Sequence, residues 1–283
     1  MKTTRTQNLG LLEGPLLIFG GPYSNLAATR ALRDVAAKLA IPPHRTICTG
    51  DLVAYCAEPE ETVNLIREWG VHVVLGNCEE SLASRALDCG CGFEVGSTCS
   101  ALSDQWFRYA DGKISEANRS WMGQLPFSLT FQLGCRRFSC VHAGVELINH
   151  FLFASTPEEA KVSELSLLSY DIDGLITGHC GIPFGQMIEG RAWLNAGVIG
   201  LPANDGTSDG WYLLIDHIDN MIKCEWHRLS YPAEQSRQTM LAAGLVSGYA
   251  ETLIKGLWPS EDVLPVEEKK KSGKALEIEP LSF

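Results

Sequence analysis

No apolar run in this 283-residue chain approaches the roughly 20 residues that a membrane-spanning helix requires. The polar stretch from Met1 to Gly10 also lacks the apolar centre of a secretory signal. Both absences point to a soluble, cytoplasmic protein with no membrane partner. Basic charge is scarce as well. Against 34 Asp and Glu there are 23 Lys and Arg, a formal net charge of -11, so no general nucleic-acid surface is expected. The ten cysteines contain no paired C-x2-C knuckles, which excludes the common structural zinc sites. Without a secretory leader they read as thiols rather than as a disulfide framework. Internal repeats are absent, and no feature indicates an oligomeric state. What remains is a chain with 45% apolar residues, long enough to bury a large core.

Four short stretches stand out from that background: Gly50-Asp51, Gly76-Asn77, Val141-His142 and Gly178-His179. Each places a metal-binding side chain at the end of an apolar run that reads as a buried strand: Arg45-Thr49, Val71-Leu75, Phe138-Val141 and Gly174-Thr177. In a layered α/β protein, residues just past strand ends gather along one rim of the sheet, where ligands bind. One carboxylate, one amide oxygen and two imidazoles suit a divalent ion such as Mn²⁺, Fe²⁺ or Zn²⁺.

These stretches, in this order from about Leu16 to Asp216, resemble the calcineurin-like metallophosphoesterases. That family has five blocks: D-x-H, G-D, G-N-H-[DE], a lone His, and G-H-x-H. Gly50-Asp51 matches the second, Gly76-Asn77-Cys78-Glu79 the third, His142 the fourth and Gly178-His179-Cys180-Gly181 the fifth. The turn Leu194-Asn195-Ala196-Gly197 is similar to the one that follows the fifth block in bacterial members. The resemblance implies a four-layer α/β/β/α sandwich of two packed mixed sheets. It also implies metal-dependent hydrolysis of a small phosphorylated molecule: a phosphomonoester, a phosphodiester or a nucleotide-like compound.

The departures from the family pattern are ordered. In the first block, Gly21 stands where the Asp belongs and Tyr23 where the His belongs, while Gly181 replaces the second His of the fifth. By the resemblance, these three are the ligands exclusive to one of two metals. The ligands exclusive to the other, Asn77, His142 and His179, are all present, with the shared Asp51. The expectation is a dinuclear site reduced to a single ion.

The third-block histidine, which assists the leaving group in the family, is Cys78 here. Cys78 is either a weak proton donor or a small buried residue. Glu79 can orient a neighbour or act as a base. Tyr23 either binds a phosphate oxygen or packs into the vacated space. Asn25 caps the following helix or orients an anion at its N-terminus. Asn195 is placed to orient first-block backbone from the opposite loop. Arg191 reaches a phosphate or lies on the surface, and His150 is either a packed, hydrogen-bonded histidine or a pocket residue. Cys56, Cys78 and Cys180 each follow a block closely, which raises the idea of a thiolate-capable cleft wall. Cys89, Cys91 and Cys99 form a looser cluster, whose C-x-C pair is poorly spaced for a disulfide.

Along the chain, residues 1–15 read as an N-terminal arm and 16–231 as the metallophosphoesterase-like domain, with a cap-like insertion at about 80–125. Helical spacing predicts helices over Asn25-Leu39, Glu60-Trp69, Leu102-Tyr109 and Ser115-Gln124. Thr156 with Glu159 reads as a capping box opening a helix to Ser169. Ser128-Leu133 and Phe138-Val141 form a hairpin, and Met221-Leu229 alternates as an edge strand. A helix follows over Ala233-Gly256 within a 232–265 segment, and 266–283 reads as a disordered tail because of its charge. Two function classes stand: a single-metal phosphoesterase, and a non-hydrolytic relative whose cleft binds a ligand or partner.

Overall fold

The structure, a computed structural model, describes residues 5–94, 96–245 and 248–283. The first half runs β1 (Thr6–Leu12), β2 (Leu16–Phe19), α1 (Leu26–Lys38), β3 (Thr46–Cys48), α2 (Pro59–Trp69), β4 (His72–Val73) and α3 (Asn77–Ser84). There follow α4 (Thr98–Asp111), α5 (Glu116–Met122), β5 (Ser128–Leu133), β6 (Arg136–Val141), α6 (Glu158–Ser166), β7 (Gly174–Thr177), β8 (Phe184–Ile188) and β9 (Arg191–Asn195). The last part holds β10 (Gly210–Ile218), β11 (Met221–Leu229), α7 (Ala233–Ala242), α8 (Tyr249–Lys255), α9 (Val266–Lys269) and β12 (Leu281–Ser282). None of the described helices is long and apolar enough to cross a membrane.

Two six-stranded mixed sheets form the centre, ordered β1-β5-β6-β7-β9-β8 and β12-β11-β10-β2-β3-β4. Strand alternation assigns each side chain to a layer. Leu16, Ile18 and Ile47 meet Leu129, Phe131, Phe138 and Ile176 between the sheets. Leu17, Phe19 and Cys48 point the other way and pack with Leu32, Ala36, Val63 and Ile66 of α1 and α2. On the far side of the first sheet, Val141, Leu175 and Trp193 pack with Leu165 of α6 and with Leu152 and Phe153. Helices, sheet, sheet and helix thus give the four layers implied by the family blocks.

Local chemistry explains most boundaries. Asn25 accepts a hydrogen bond from Ala28 N at the start of α1, and Ser115 caps α5 in the same way. Pro59 opens α2, and Gly70, at φ +74°, ends it. The hairpin of β5 and β6 turns at Gly134 and Cys135, pairing Leu133 with Arg136.

Several expectations do not survive. Residues 6–12 of the supposed arm form β1, paired parallel with β5. The supposed edge strand β11 lies between β10 and β12, because the expected disordered tail returns as α9 and β12. Charge alone misled there: Leu276, Ile278, Leu281 and Phe283 are interleaved with the polar residues and pack on the inter-sheet core. The capping box at Thr156 is not formed. Pro157 occupies the N-cap of α6, and Thr156 Oγ1 instead accepts from Phe153 N at 2.9 Å. The long helix over Ala233-Gly256 is two helices, α7 and α8, and residues 246 and 247 lie outside the described set.

Candidate metal centre

Asp51 follows β3 and Asn77 follows β4, both in one sheet, while His142 follows β6 and His179 follows β7 in the other. The rims of the two sheets converge and bring the four side chains together. All four are buried. One ligand atom each from Asp51, His142 and His179 lies within 4.8 Å of the others. His142 Nε2 is 2.9 Å from His179 Nδ1, 3.1 Å from Asn77 Oδ1 and 3.3 Å from Asp51 Oδ2. His179 Nδ1 lies 3.8 Å from the same Asp51 oxygen.

The donor chemistry of this cluster fits a cation. His142 Nδ1 sits 2.6 Å from the Thr49 carbonyl, which can only accept, so Nδ1 carries a proton. In the neutral imidazole Nε2 then bears a lone pair, aimed at a carboxylate oxygen and an amide oxygen. Asn77 turns its oxygen toward the cluster because its Nδ2 donates to the Cys89 carbonyl at 2.9 Å. Electron pairs converging without protons between them are satisfied either by a proton on Nε2 or by a metal ion at the same place. Without an ion the proton is favoured. Burial disfavours the charged imidazole of His142, but Asp51 outweighs it and raises its pKa. Burial also works against the Asp51 carboxylate, yet the two histidines hold its pKa well below the usual range. Burial lowers that of His179.

Two glycines are required by close approach. A Cβ on Gly50 would lie 2.9 Å from His142 Nδ1, and one on Gly76 would lie 2.5 Å from Asp51 Oδ1. Glu79 holds this junction. Its Oε2 accepts from Asp51 N at 2.8 Å and Gly76 N at 3.1 Å, and its Oε1 accepts from Leu52 N at 2.8 Å and Val53 N at 3.3 Å. Burial and the neighbouring Asp51 charge push its pKa up. Four backbone donors occupy its oxygens, so of its two expected roles it fills the orienting one.

Other sequence candidates lie differently. Tyr23 is buried, with its ring edge-on to Tyr55 at 4.8 Å, and it packs so closely over Gly21 that a Cβ there would lie 2.6 Å from the ring. Cys78 is a buried thiol whose pKa rises well above normal through burial and the nearby Asp51, which makes it a poor acid. Burial likewise pushes the Cys180 thiol up, to about 12. Asn25 is fully engaged in structure: Nδ2 donates to Gly200 O, and Oδ1 accepts from Ala28 N and Ser236 Oγ. Asn195 holds its own turn, donating to Thr177 Oγ1 and Cys180 Sγ and accepting from Gly197 N, and does not reach the first block. Arg191 sits at the opposite end of β9 from Asn195 and donates to the carbonyls of Leu165 and Tyr170, away from the centre. His150 pairs with Glu164 at 2.9 Å.

Cys89 and Cys91 are joined as a disulfide, contrary to the expectation from spacing. Gly90, at φ +64°, turns the chain so that their Cα atoms lie 5.3 Å apart, while Cys99 stays free. Three contributors had no signal in the sequence. They are the Thr49 carbonyl, the Cys89 carbonyl, and Phe151, whose ring lies 4.3 Å from that of His179.

The model of the calcineurin-like phosphoesterase family matches residues 19–194, well over half of the chain and containing all four side chains. The chain belongs to the calcineurin-like phosphoesterase family. An uncharacterized protein of Methanocaldococcus jannaschii is 23% identical over 263 residues, covering 87% of this chain and all of that one. Among solved structures, a hypothetical protein of Pyrococcus horikoshii OT3 superposes with a TM-score of 0.71 at 16% identity, over 86% of this chain and 98% of its own. A metallophosphoesterase from Sphaerobacter thermophilus gives 0.67 at 18% identity, over 87% and 100%. At these identities the two structures attest the metallophosphoesterase fold.

Proposed function

We propose that this phosphoesterase-family protein is a hydrolase of small phosphate esters that works with a single divalent ion. Asp51, Asn77, His142 and His179 would hold the ion. The observation that carries this reading is the convergence of Asp51, Asn77 and His179 on His142 Nε2, a place that a cation can occupy. A bound Mn²⁺, Fe²⁺ or Zn²⁺ would polarise a phosphoryl oxygen and lower the pKa of a water.

The chain's own residues set the conditions for that chemistry. Thr49 fixes the His142 tautomer through its carbonyl, as outer partners of metal-binding histidines do. Glu79 ties the Asp51 loop to the start of α3, holding carboxylate and amide at one spacing. Phe151 covers one face of the His179 ring and excludes water from it.

A second reading, ligand binding without turnover, is favoured by one observation. Where relatives carry a third-block histidine there is a buried thiol, Cys78. Metal analysis of the purified protein, followed by turnover of bis(4-nitrophenyl) phosphate with Mn²⁺, separates the readings. About one equivalent of metal and turnover lost in His142→Ala support the hydrolase. A metal-free protein without turnover supports the binding protein and sinks the hydrolase.

A further inference from the structure

Asn77 offers the centre one oxygen, and a three-residue turn holds that oxygen in place. Its Nδ2 donates to the Cys89 carbonyl at 2.9 Å and lies 3.3 Å from Cys91 Sγ. Both partners belong to the Cys89–Cys91 disulfide, so the covalent ring through Gly90 grips the amide nitrogen at two points. Oδ1 is thereby aimed at His142 Nε2, 3.1 Å away. An amide whose nitrogen is released can rotate and present N–H donors where its oxygen stood, and an N–H repels a cation.

The turn is fitted to its place. Gly90 lies at φ +64°, and a Cβ there would meet Ser81 Oγ of α3 at 2.8 Å. Its N–H donates to Asp88 Oδ1 at 2.8 Å, and its carbonyl accepts from Asn149 Nδ2 at 2.9 Å. Phe93, two residues past the disulfide, stacks at 6.0 Å on Phe151, the ring that covers His179. One short loop thus touches the surroundings of two of the four converging side chains. Cys89 and Cys91 are buried, but Leu87, Asp88 and Gly92 beside them are exposed, so local opening of a surface turn brings a small reagent to the sulfurs.

Resting on the single-ion reading, we propose that Cys89 and Cys91 form a redox switch on the ion site: the disulfide keeps Asn77 as a ligand, and the dithiol releases it. In the reducing direction a thiolate of an external dithiol attacks one sulfur. The Cys89–Cys91 bond breaks as a mixed disulfide forms, and the second thiol of the reagent then closes on the first. Two electrons pass to the protein sulfurs, the two reagent S–H protons end on Cys89 and Cys91, and the reagent leaves as a cyclic disulfide. Glutathione disulfide reverses the step and leaves as two thiols. Sulfurs that no longer share a bond must move apart, and in a close-packed site the turn takes up that movement. The Cys89 carbonyl and Cys91 Sγ then leave Asn77 Nδ2 together.

The test is calorimetric titration of Mn²⁺ into the full chain carrying Cys135→Ser, which removes an exposed thiol that would cross-link copies. One sample is oxidised with glutathione disulfide and the other reduced with dithiothreitol, and both are freed of reagent under argon. Mass spectrometry after alkylation in denaturant should find two more labelled cysteines in the reduced sample. Reduction should weaken Mn²⁺ binding at least about tenfold, the scale on which loss of an outer partner weakens a metal site, and reoxidation should restore it. The double variant Cys89→Ser, Cys91→Ser should bind as weakly as the reduced protein and respond to neither reagent. Should it not fold, the two states of the unsubstituted turn decide alone. Equal or tighter binding after reduction, or no disulfide in the oxidised sample, overturns the switch while the ion reading stands. If neither state binds Mn²⁺, the ion reading fails and the switch goes with it.

Discussion

At the scale of single residues, the centre depends on side chains that each have one geometry available. Replacing His142 by Ala removes the atom on which Asp51, Asn77 and His179 converge. Metal bound after dialysis, measured by mass spectrometry, should fall from about one equivalent to none, in keeping with a site of few protein ligands. Glu79→Gln should be nearly as damaging for another reason. An amide nitrogen would face backbone donors now served by a carboxylate oxygen, leaving at least one buried N–H unpaired. Denaturant unfolding should show a loss of about 1–3 kcal/mol. The four converging side chains were legible because family blocks and strand ends marked them. For Asn25 and Arg191 the sequence left two uses open, because a polar residue near a block can serve either a ligand or the backbone. Only partners such as Ser236, 211 residues away from Asn25, decide between them.

At the scale of elements, periodicity and capping located most helices and strands, and failures fell where long-range contact overrode local composition. The segment 266–283 reads as polar and charged, yet β12 pairs with β11 through Lys223 with Ser282 and Cys224 with Leu281. The Phe283 ring approaches Phe138 at 6.3 Å. Truncation after Lys274 should strip this strand and expose the β11 edge. The expected result is a stability loss of about 2–4 kcal/mol in urea unfolding, from apolar side chains returned to water, with increased aggregation at that edge. The contact between the segments around Phe93 and Trp258 was equally invisible in sequence. Neither carries a family block, and their meeting depends on Asp262 Oδ2 accepting from Thr98 N at 2.8 Å and Cys99 N at 3.4 Å at the start of α4.

At the scale of the whole molecule, the four-layer arrangement was readable from the order of blocks. Ion binding to the folded chain but not to the unfolded one raises stability by mass action. At a free Mn²⁺ concentration 100 times its dissociation constant the gain is about 2.7 kcal/mol. Thermal unfolding should therefore shift upward with Mn²⁺ and return with a chelator, and His142→Ala should show no shift. An unresponsive wild-type protein would contradict the single-ion reading.

The four converging side chains come in pairs from separate sheets, Asp51 and Asn77 on one, His142 and His179 on the other. An ion there would act as a rivet across the seam, opposing shear of one sheet over its neighbour. Amide exchange along β3 and β6 should then slow together when Mn²⁺ is added, while β11, at the far side of its sheet, keeps its rate.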